Sequence, residues 1–489
     1  MKKFIFGIII FIVLLLVAAY GILFTGFGNN LIKPTVEHKI NKTLKTDMQL
    51  ETFRLTPSHI NLLMKNEKGS IFQIEGQLSL LSKNADLIYK ININKNDSIK
   101  LKNHTLNGQF STAGTIKGSI NKTLTVKGQS NIANSDTQYT IILKNSNPKQ
   151  LTATIKHLNI KKLCILLNQK PFANGLLDTR VELNDIKNNN IKSGHITLNI
   201  TKGIIYSKPI NKQYRTNLDR NIPFKLSLSS NIEDSVLFSL INLKTSLGNL
   251  NTKKAIFNIK KMHLDSDYTL HIPDLDKLYF ITNRHLKGNV TVAGNIYKQN
   301  NNINITFNSN IFSGKINGIF NNGKLNLKAT KISMADITDM LMYKRFFDSK
   351  GNFRATYDIF TKKGKIEGIF NKGHILPNKM TLMIKVYNGF DLTKEIYETT
   401  SVSGLINKKT LLLDFDMKSR LTTLNTKKAV LNFDKNTVKT SLNVSIKDNA
   451  FKVILTGDMK SPNIKIDATK LIKKRVEKGV KHLINKLFK

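Results

Sequence analysis

Imidazole and carboxylate side chains at alternate positions come closest in this sequence to a metal site. His263, Asp265 and Asp267 would point to the same side of a strand, and these groups are ligands of zinc. The sequence around them supplies no fourth ligand. We therefore interpret the three residues as part of a solvated polar face. Asp274 and Asp276 are similarly spaced, but they indicate the start of a short helix.

The other residue types that could carry chemistry lack the partners that the chemistry requires. The Gly-Lys pairs at residues 314–315, 323–324 and 364–365 are followed by Ile or Leu, whereas a phosphate-binding loop requires Ser or Thr. The single cysteine, Cys164, lies among leucines and is interpreted as a buried structural thiol. We predict that the protein is not an enzyme and has no catalytic residues, cofactor or metal site.

The charge of the chain is strongly basic. There are 76 Lys and Arg residues against 33 Asp and Glu, a formal net charge of +43. Such a field attracts nucleic acid or an anionic membrane surface, although a general richness in Lys, Asn and Ile explains it equally well. Because the basic residues are not interleaved with clustered aromatic residues and no binding motif is present, we predict no nucleic-acid partner.

The N-terminus carries a predicted membrane anchor over residues 4–24. This run of 21 uncharged residues would form a helix roughly 31 Å long, enough to cross a bilayer. A cleavable signal peptide is the alternative, but its apolar region is shorter, up to about 15 residues. Lys2 and Lys3 precede the run and residues 25–32 are uncharged, which places the N-terminal tip, residues 1–3, in the cytoplasm and the rest of the chain outside.

Two further segments have a helical apolar period. Residues 25–47 place Leu31, Val36 and Ile40 on one side and indicate an amphipathic helix beside the membrane. Residues 468–489 indicate a basic amphipathic helix that contacts a membrane or a partner, or that simply caps the sheet. The members of this second helix that we single out are Leu471, Val476, Val480, Leu483 and Ile484 on the apolar stripe, and Lys473, Lys474 and Arg475 on the basic side.

The long middle segment, residues 48–467, alternates apolar and polar residues with a period of two. This period predicts strands, and the short connections with turn residues favour an antiparallel meander. Three segments, starting near Leu151, Tyr268 and Leu325, interrupt the strands with the order strand, short helix, glycine, strand. The alternation leaves one apolar face that must be covered by a second sheet, by helices or by lipid.

We predict that a lipid-binding groove is lined by apolar residues of three strands. The candidates are Phe72, Ile74, Leu78, Leu80, Ile196, Leu198, Ile200, Ile303, Ile305 and Phe307.

The order of these features resembles that of the AsmA-like proteins, including their TamB and YdbH relatives. The resemblance includes the N-terminal anchor, the alternating domain and the closing run from Gly457 to Asp467, GDMKSPNIKID, followed by a Lys-rich segment. It implies an elongated, curled antiparallel sheet with a taco-like groove, anchored in the inner membrane with its bulk in the periplasm. It also implies a bridge-like role in phospholipid transport that supports outer-membrane biogenesis, with outer-membrane or other envelope proteins as further partners. No catalytic residues are implied.

The main alternative is an envelope scaffold or assembly factor. Its apolar face would form a dry β-sandwich, and its surface would bind other proteins rather than lipid.

Overall fold

A computed structural model describes residues 24–44, 47–95, 97–101, 104–187 and 190–467. The chain divides between Lys261 and Met262 into two compact units, called unit 1 and unit 2 below. The protein is mainly β and its sheets are antiparallel, which confirms the predicted fold class at that level. The predicted domain of residues 48–467 contributes to both units.

Unit 1 combines helices with fifteen described strands. The helices are α1 (Gly26–Leu44), α2 (Ile160–Leu166) and α3 (Ser207–Tyr214). The strands are β1 (Gln49–Leu55), β2 (His59–Lys65), β3 (Ile71–Ser79), β4 (Asn84–Ile93), β5 (Ser98–Leu101), β6 (His104–Asn107), β7 (Phe110–Ser119), β8 (Thr123–Ser130), β9 (Asp136–Lys144), β10 (Asn147–Asn159), β11 (Ala173–Lys187), β12 (Asn190–Ile205), β13 (Ile222–Glu233), β14 (Val236–Thr245) and β15 (Asn249–Asn258). A short 3₁₀ helix, Ile132–Asn134, joins β8 to β9.

Unit 2 has the same construction. Its helices are α4 (Tyr279–Thr282), α5 (Met334–Met340) and α6 (Lys379–Asn388), with 3₁₀ turns at Leu275–Leu278 and Leu392–Lys394. Its strands are β16 (His263–Ile272), β17 (Val290–Gln299), β18 (Asn302–Ile311), β19 (Gly314–Asn321), β20 (Lys324–Ser333), β21 (Phe347–Asp358), β22 (Lys363–Ile375), β23 (Tyr397–Asn407), β24 (Thr410–Lys418), β25 (Thr422–Asn432), β26 (Thr437–Ile446), β27 (Asn449–Asp458) and β28 (Asn463–Asp467).

Within each unit the strands form a meander, as the short connections predicted. In unit 1, each strand from β1 to β3 and from β7 to β14 pairs antiparallel with the next strand. Strand β4 pairs with β7, and β5 and β6 form a separate hairpin between them in the chain. In unit 2, β16 to β28 do the same.

Long connections gather at one end of the strands in each unit. Successive connections of a meander alternate between the two ends of the strands. In unit 1 one end carries tight turns such as β3–β4, and the other carries the β5–β6 hairpin, α2 and α3. In unit 2 the helices α4, α5 and α6 likewise share one end. We call this end of the strands the helical edge of each unit.

Local capping explains where the inserted helices begin. The side chain of Asn159 accepts a hydrogen bond from the Lys162 N–H at the start of α2, and Ser333 accepts one from Asp336 at the start of α5. Asp274 caps the turn at Leu275–Leu278 by accepting from Asp276. These caps confirm the helices of the three predicted strand–helix–strand segments and the interpretation of Asp274.

Two of these segments share a backbone irregularity that the sequence pattern did not predict. His157 in β10 and Lys331 in β20 have φ of 57° and 55°, and each lies two residues before the cap of the following helix. The backbone N–H of His157 donates to Asp178 at 2.8 Å, and that of Lys331 donates to Asn352 at 2.9 Å; both acceptors lie 21 residues downstream. The same bulge therefore directs the chain from strand into helix in each unit.

The N-terminal helix packs on the first strands of unit 1. Val36 and Ile40 of α1 contact the buried cluster of Met48, Leu50, Leu62 and Met64, while Phe27 and Leu31 are exposed. A helix is thus present within the predicted range as α1, but the prediction that Leu31 shares a side with Val36 and Ile40 was wrong, because Leu31 does not reach the buried cluster. Of the predicted anchor, residues 4–23 lie outside the described residues. None of the described helices is both long and apolar enough to span a membrane.

Candidate functional site

The register of unit 1 places two of the three predicted groove strands on one continuous apolar face. A single row of directly opposed residues crosses eight strands: Ile74, Tyr89, Gly114, Gly128, Tyr139, Ala153, Val181 and Ile196. Opposed residues in a sheet point to the same side. Because side chains alternate along a strand, Phe72 and Leu78 share this face with Ile74, and Leu198 and Ile200 share it with Ile196.

The apolar face of unit 1 is most deeply buried at its helical edge. Ile93 and Phe110 pack there with Leu166 of α2, and Ile200 packs with Phe224 and with Ile160 of the same helix. Away from this edge the candidates Phe72, Ile74, Leu78, Ile196 and Leu198 are half-buried, whereas Ala85, Leu87 and Tyr89 of β4 on the same face are buried. Leu80 lies in the turn after β3 and is 42 % exposed. A helix-sealed edge therefore borders an apolar surface that stays partly accessible.

The third predicted groove strand lies in unit 2 and is half-buried in the same way. Ile305 faces Ile296 on β17 and Phe320 on β19, and Phe307 faces glycines on both neighbours. Ile303 lies two residues before Ile305, so it shares their side of β18. Ile303, Ile305 and Phe307 are all half-buried.

Protein side chains cover the apolar face of β21 to β28 near the helical edge. Ile384 of α6 and Leu392 are fully buried, and they join Phe347, Tyr397 and Val453 in the largest apolar cluster of the described residues. Burial raises the pKa of Tyr397 to about 12. This stretch is a dry core, so any bound molecule on the unit 2 face is restricted to strands outside it.

Aromatic rings lie over glycines on the apolar face, a feature that alternation alone does not reveal. A Cβ at Gly318 would lie 1.9 Å from Cζ of Phe307, and one at Gly203 would lie 2.3 Å from the Phe224 ring. Aromatic side chains thus fill the space that the glycines leave free. The signal in the sequence was the glycine at an apolar position of an alternating strand, such as Gly318 between Ile316 and Phe320 in β19.

The sheet of unit 2 curls, so that connections between distant strands contact each other. Arg284, in the connection between β16 and β17, donates to the Tyr343 hydroxyl at 3.2 Å and to the main-chain oxygen of Phe433 beyond β25. Its guanidinium also lies 5.2 Å from the Phe433 ring centre, and Tyr343 donates to Asn436 at 3.0 Å. Eight strand steps of about 4.7 Å separate β17 from β25, so a flat sheet would hold them roughly 38 Å apart.

The opposite face of the sheet is polar, and His263, Asp265 and Asp267 belong to it. On the neighbouring strand, Asn295 donates to Asp265 at 2.8 Å, and the His263 and Tyr297 rings lie 4.8 Å apart. No group of three metal-ligating side chains occurs among the described residues. The three residues therefore lie on the polar face as interpreted, but they are half-buried rather than fully solvated, and the Nε2 atom of His263 is buried without a hydrogen-bond partner in the described part of the chain.

A concavity of about 720 Å³ lies across β7 to β11 of unit 1, and Gly128, Tyr139 and Ala153 of the row described above are part of its lining. Polar side chains also line it, including Gln129, Gln138, Thr154 and Arg180. Arg180 pairs with Glu182 at 2.7 Å, and Lys127 is a further basic residue of the lining. Cys164, the predicted structural thiol, is buried in α2 as expected.

Residues Leu471, Lys473, Lys474, Arg475, Val476, Val480, Leu483 and Ile484 lie outside the described residues. Comparison with protein-family models and with curated proteins gives no match for this chain.

Proposed function

We propose that this protein binds the acyl chains of phospholipid on its apolar sheet face and carries them between the inner and outer membranes. In this proposal residues 4–24 anchor the chain in the inner membrane and the β units lie in the periplasm. The observation that carries it is the row of directly opposed residues from Ile74 to Ile196, which crosses eight strands on the apolar face and has the paired hydroxyls of Tyr89 and Tyr139 as its polar groups.

The partial exposure of this path supports a mobile apolar ligand. Apolar surface in water costs about 25 cal/mol per Å², and a lipid chain removes that cost without a fixed partner surface. Helices seal one edge of unit 1, where Leu166 covers Ile93 and Phe110. The rings over the glycines fill the space that the missing side chains leave, so the apolar face offers aromatic carbon along which an extended acyl chain can lie.

Site-specific photo-crosslinking in intact cells tests this proposal. A photoreactive residue at Ile74, Leu198 or Ile305 should capture phospholipid, identified by mass spectrometry of the adduct. Gln73, Thr197 and Thr306 are matched controls, because each is the chain neighbour of a test residue and points to the polar face. Equal lipid capture on both faces, or capture of protein alone at all three test positions, would reject lipid binding on this face.

An envelope scaffold is the second candidate, and the dry core around Ile384 and Leu392 favours it. There the apolar face is already covered by the chain itself. Native mass spectrometry of the purified protein separates the two functions. Stoichiometric bound lipid supports transport, whereas a lipid-free protein that retains envelope proteins supports a scaffold.

A further inference from the structure

One row of directly opposed residues crosses the concavity of β7 to β11. The row consists of Ala113, Gln129, Gln138, Thr154 and Arg180. These positions alternate with Gly114 and Gly128, which the Tyr89 hydroxyl covers from the apolar side. Tyr89 itself is not part of the lining. The concavity therefore opens on the polar face of unit 1.

A second row lies beside the first, two residues away along each strand. Its central members, Lys127, Thr140 and Thr152, are directly opposed in turn and line the same concavity. Neighbouring strands are about 4.8 Å apart, so the five strands hold a ladder of polar positions roughly 19 Å long.

The side chains inside the concavity have hydrogen-bonding capacity that the described chain does not use. Five of them make no side-chain hydrogen bond to any described residue: Gln129, Gln138, Thr140, Thr152 and Thr154. Beyond the concavity the second row continues to His195 and Asn231, which bond each other at 2.7 Å. Amides and hydroxyls both donate and accept hydrogen bonds, so the unused groups suit a ligand that does the same.

Two lysines add positive charge to this surface. Arg180 is paired with Glu182 at 2.7 Å. Lys127 in the second row, and Lys90 opposite Ala113 on β4, have no ion-pair partner in the described part of unit 1. The concavity thus combines neutral polar groups with cations that are free to meet a carboxylate.

Two other classes of anionic partner fit this surface less well. Single-stranded nucleic acid binds by stacking its bases on aromatic rings. Tyr139 is the one aromatic residue of the lining, and its hydroxyl meets that of Tyr89 on the apolar side. A membrane surface is held by apolar side chains that insert into it, whereas the two rows present polar ones.

We propose that this concavity binds an extended, β-linked polysaccharide that carries carboxylates and lies across the strands. A β-linked chain of six-membered sugar rings advances by about one strand spacing per residue, so successive sugars meet successive strands. Sugar hydroxyls pair with the amides of Gln129 and Gln138, and a sugar carboxylate pairs with the Lys127 ammonium. The site lies on the face opposite to the proposed acyl-binding face, so it does not depend on lipid transport.

Fluorescence anisotropy of a labelled hyaluronan hexasaccharide tests the proposal, because hyaluronan is β-linked and carries carboxylates on alternate sugars. The full chain in phosphatidylcholine nanodiscs should bind it saturably in about 0.15 M salt, where long-range attraction is screened. Gln129→Ala with Gln138→Ala should weaken binding about tenfold, since two hydrogen bonds are lost. Gln77→Ala, at an exposed position of β3 outside the concavity, should leave the affinity unchanged. No saturable binding, or an equal loss in the Gln77 variant, would overturn the proposal.

Two further ligands separate sugar recognition from attraction to charge alone. Lys127→Gln should weaken hyaluronan binding about tenfold, because a charge-assisted hydrogen bond is lost, and should not change the weaker binding of uncharged chitohexaose. Poly-L-glutamate should not displace hyaluronan. Displacement by poly-L-glutamate would overturn the proposal, as would equal affinity for chitohexaose and hyaluronan. Denaturant unfolding with an unchanged midpoint verifies that each variant is folded, since the substituted side chains are exposed.

Discussion

The hydroxyl oxygens of Tyr89 and Tyr139 lie 2.5 Å apart above the sheet, although the two residues are on strands three steps from each other. The glycines of the two intervening strands, Gly114 and Gly128, make room for both rings. Tyr139 also bonds the Thr112 hydroxyl at 2.6 Å. Burial and the Tyr139 hydroxyl raise the pKa of Tyr89, so the Tyr89 hydroxyl is neutral over the physiological range.

We expect Gly128→Ala to lower the free energy of unfolding by about 2 kcal/mol, because added volume in a packed site forces its neighbours to move. The new Cβ would lie 2.2 Å from the Tyr89 hydroxyl oxygen. Tyr89→Phe removes that atom, so the double variant should recover part of the loss. Chemical denaturation of the four proteins of this cycle measures the coupling. Gly26→Ala, where a Cβ meets open space, is the control. Strict additivity in the cycle would show that the tyrosine hydroxyl does not require the glycine.

The contact between Arg284 and the turn after β25 should hold the curl of unit 2. Arg284→Ala removes two hydrogen bonds and a ring contact, and we expect a loss of about 1–2 kcal/mol in unfolding free energy. Hydrogen exchange should accelerate in residues 433–436. Arg354→Ala, an exposed residue on the polar side of β21, should change neither quantity. Unchanged exchange in that turn would mean that the curl does not depend on Arg284.

The left-handed backbone at Lys331 predicts that glycine substitutions at two positions of β20 change the free energy of unfolding in opposite directions. Glycine tolerates positive φ, so Lys331→Gly should raise the free energy of unfolding by about 0.5 kcal/mol. Lys328→Gly, at an extended position three residues earlier, should lower it by about 1 kcal/mol. Thermal and denaturant unfolding of both variants measures the difference. A loss of stability in both would contradict the bulge geometry.

Asp391 should contribute to acid sensitivity. Hydrogen bonds from the Thr393 hydroxyl and from Lys385, with one from the Thr393 N–H, lower the pKa of Asp391 to about 2. An unfolded Asp titrates near 4. The ionised carboxylate therefore stabilises the fold above about pH 4, and this contribution is lost as the pH falls toward 2. Asp391→Asn should show a weaker fall in stability between pH 4 and 2 than the parent protein, measured by urea unfolding. Parallel pH curves for the two proteins would contradict the assignment.

Alternation and turn residues were sufficient to predict the strands, the meander and the sides on which Ile74, Leu198 and Ile305 lie. These features depend on a period of two and on connection length, which are properties of neighbouring residues. The caps at Asn159 and Asp274 are equally local, so the helices α2, α4 and α5 were predicted as well, whereas α3 and α6 were not.

Tertiary structure alone decided which parts of the apolar face are filled. The ring of Tyr89 meets that of Tyr139 only because three strand pairings fix their distance, and Arg284 reaches Phe433 only because the sheet of unit 2 curls. The sequence likewise contains no local sign that α6 would cover β21 to β28. Ile384 and Leu382 have similar side chains, yet Ile384 is buried and Leu382 is exposed. Sequence period determines which face a residue takes, whereas the burial of that face depends on twist, curl and contacts between residues far apart in the chain.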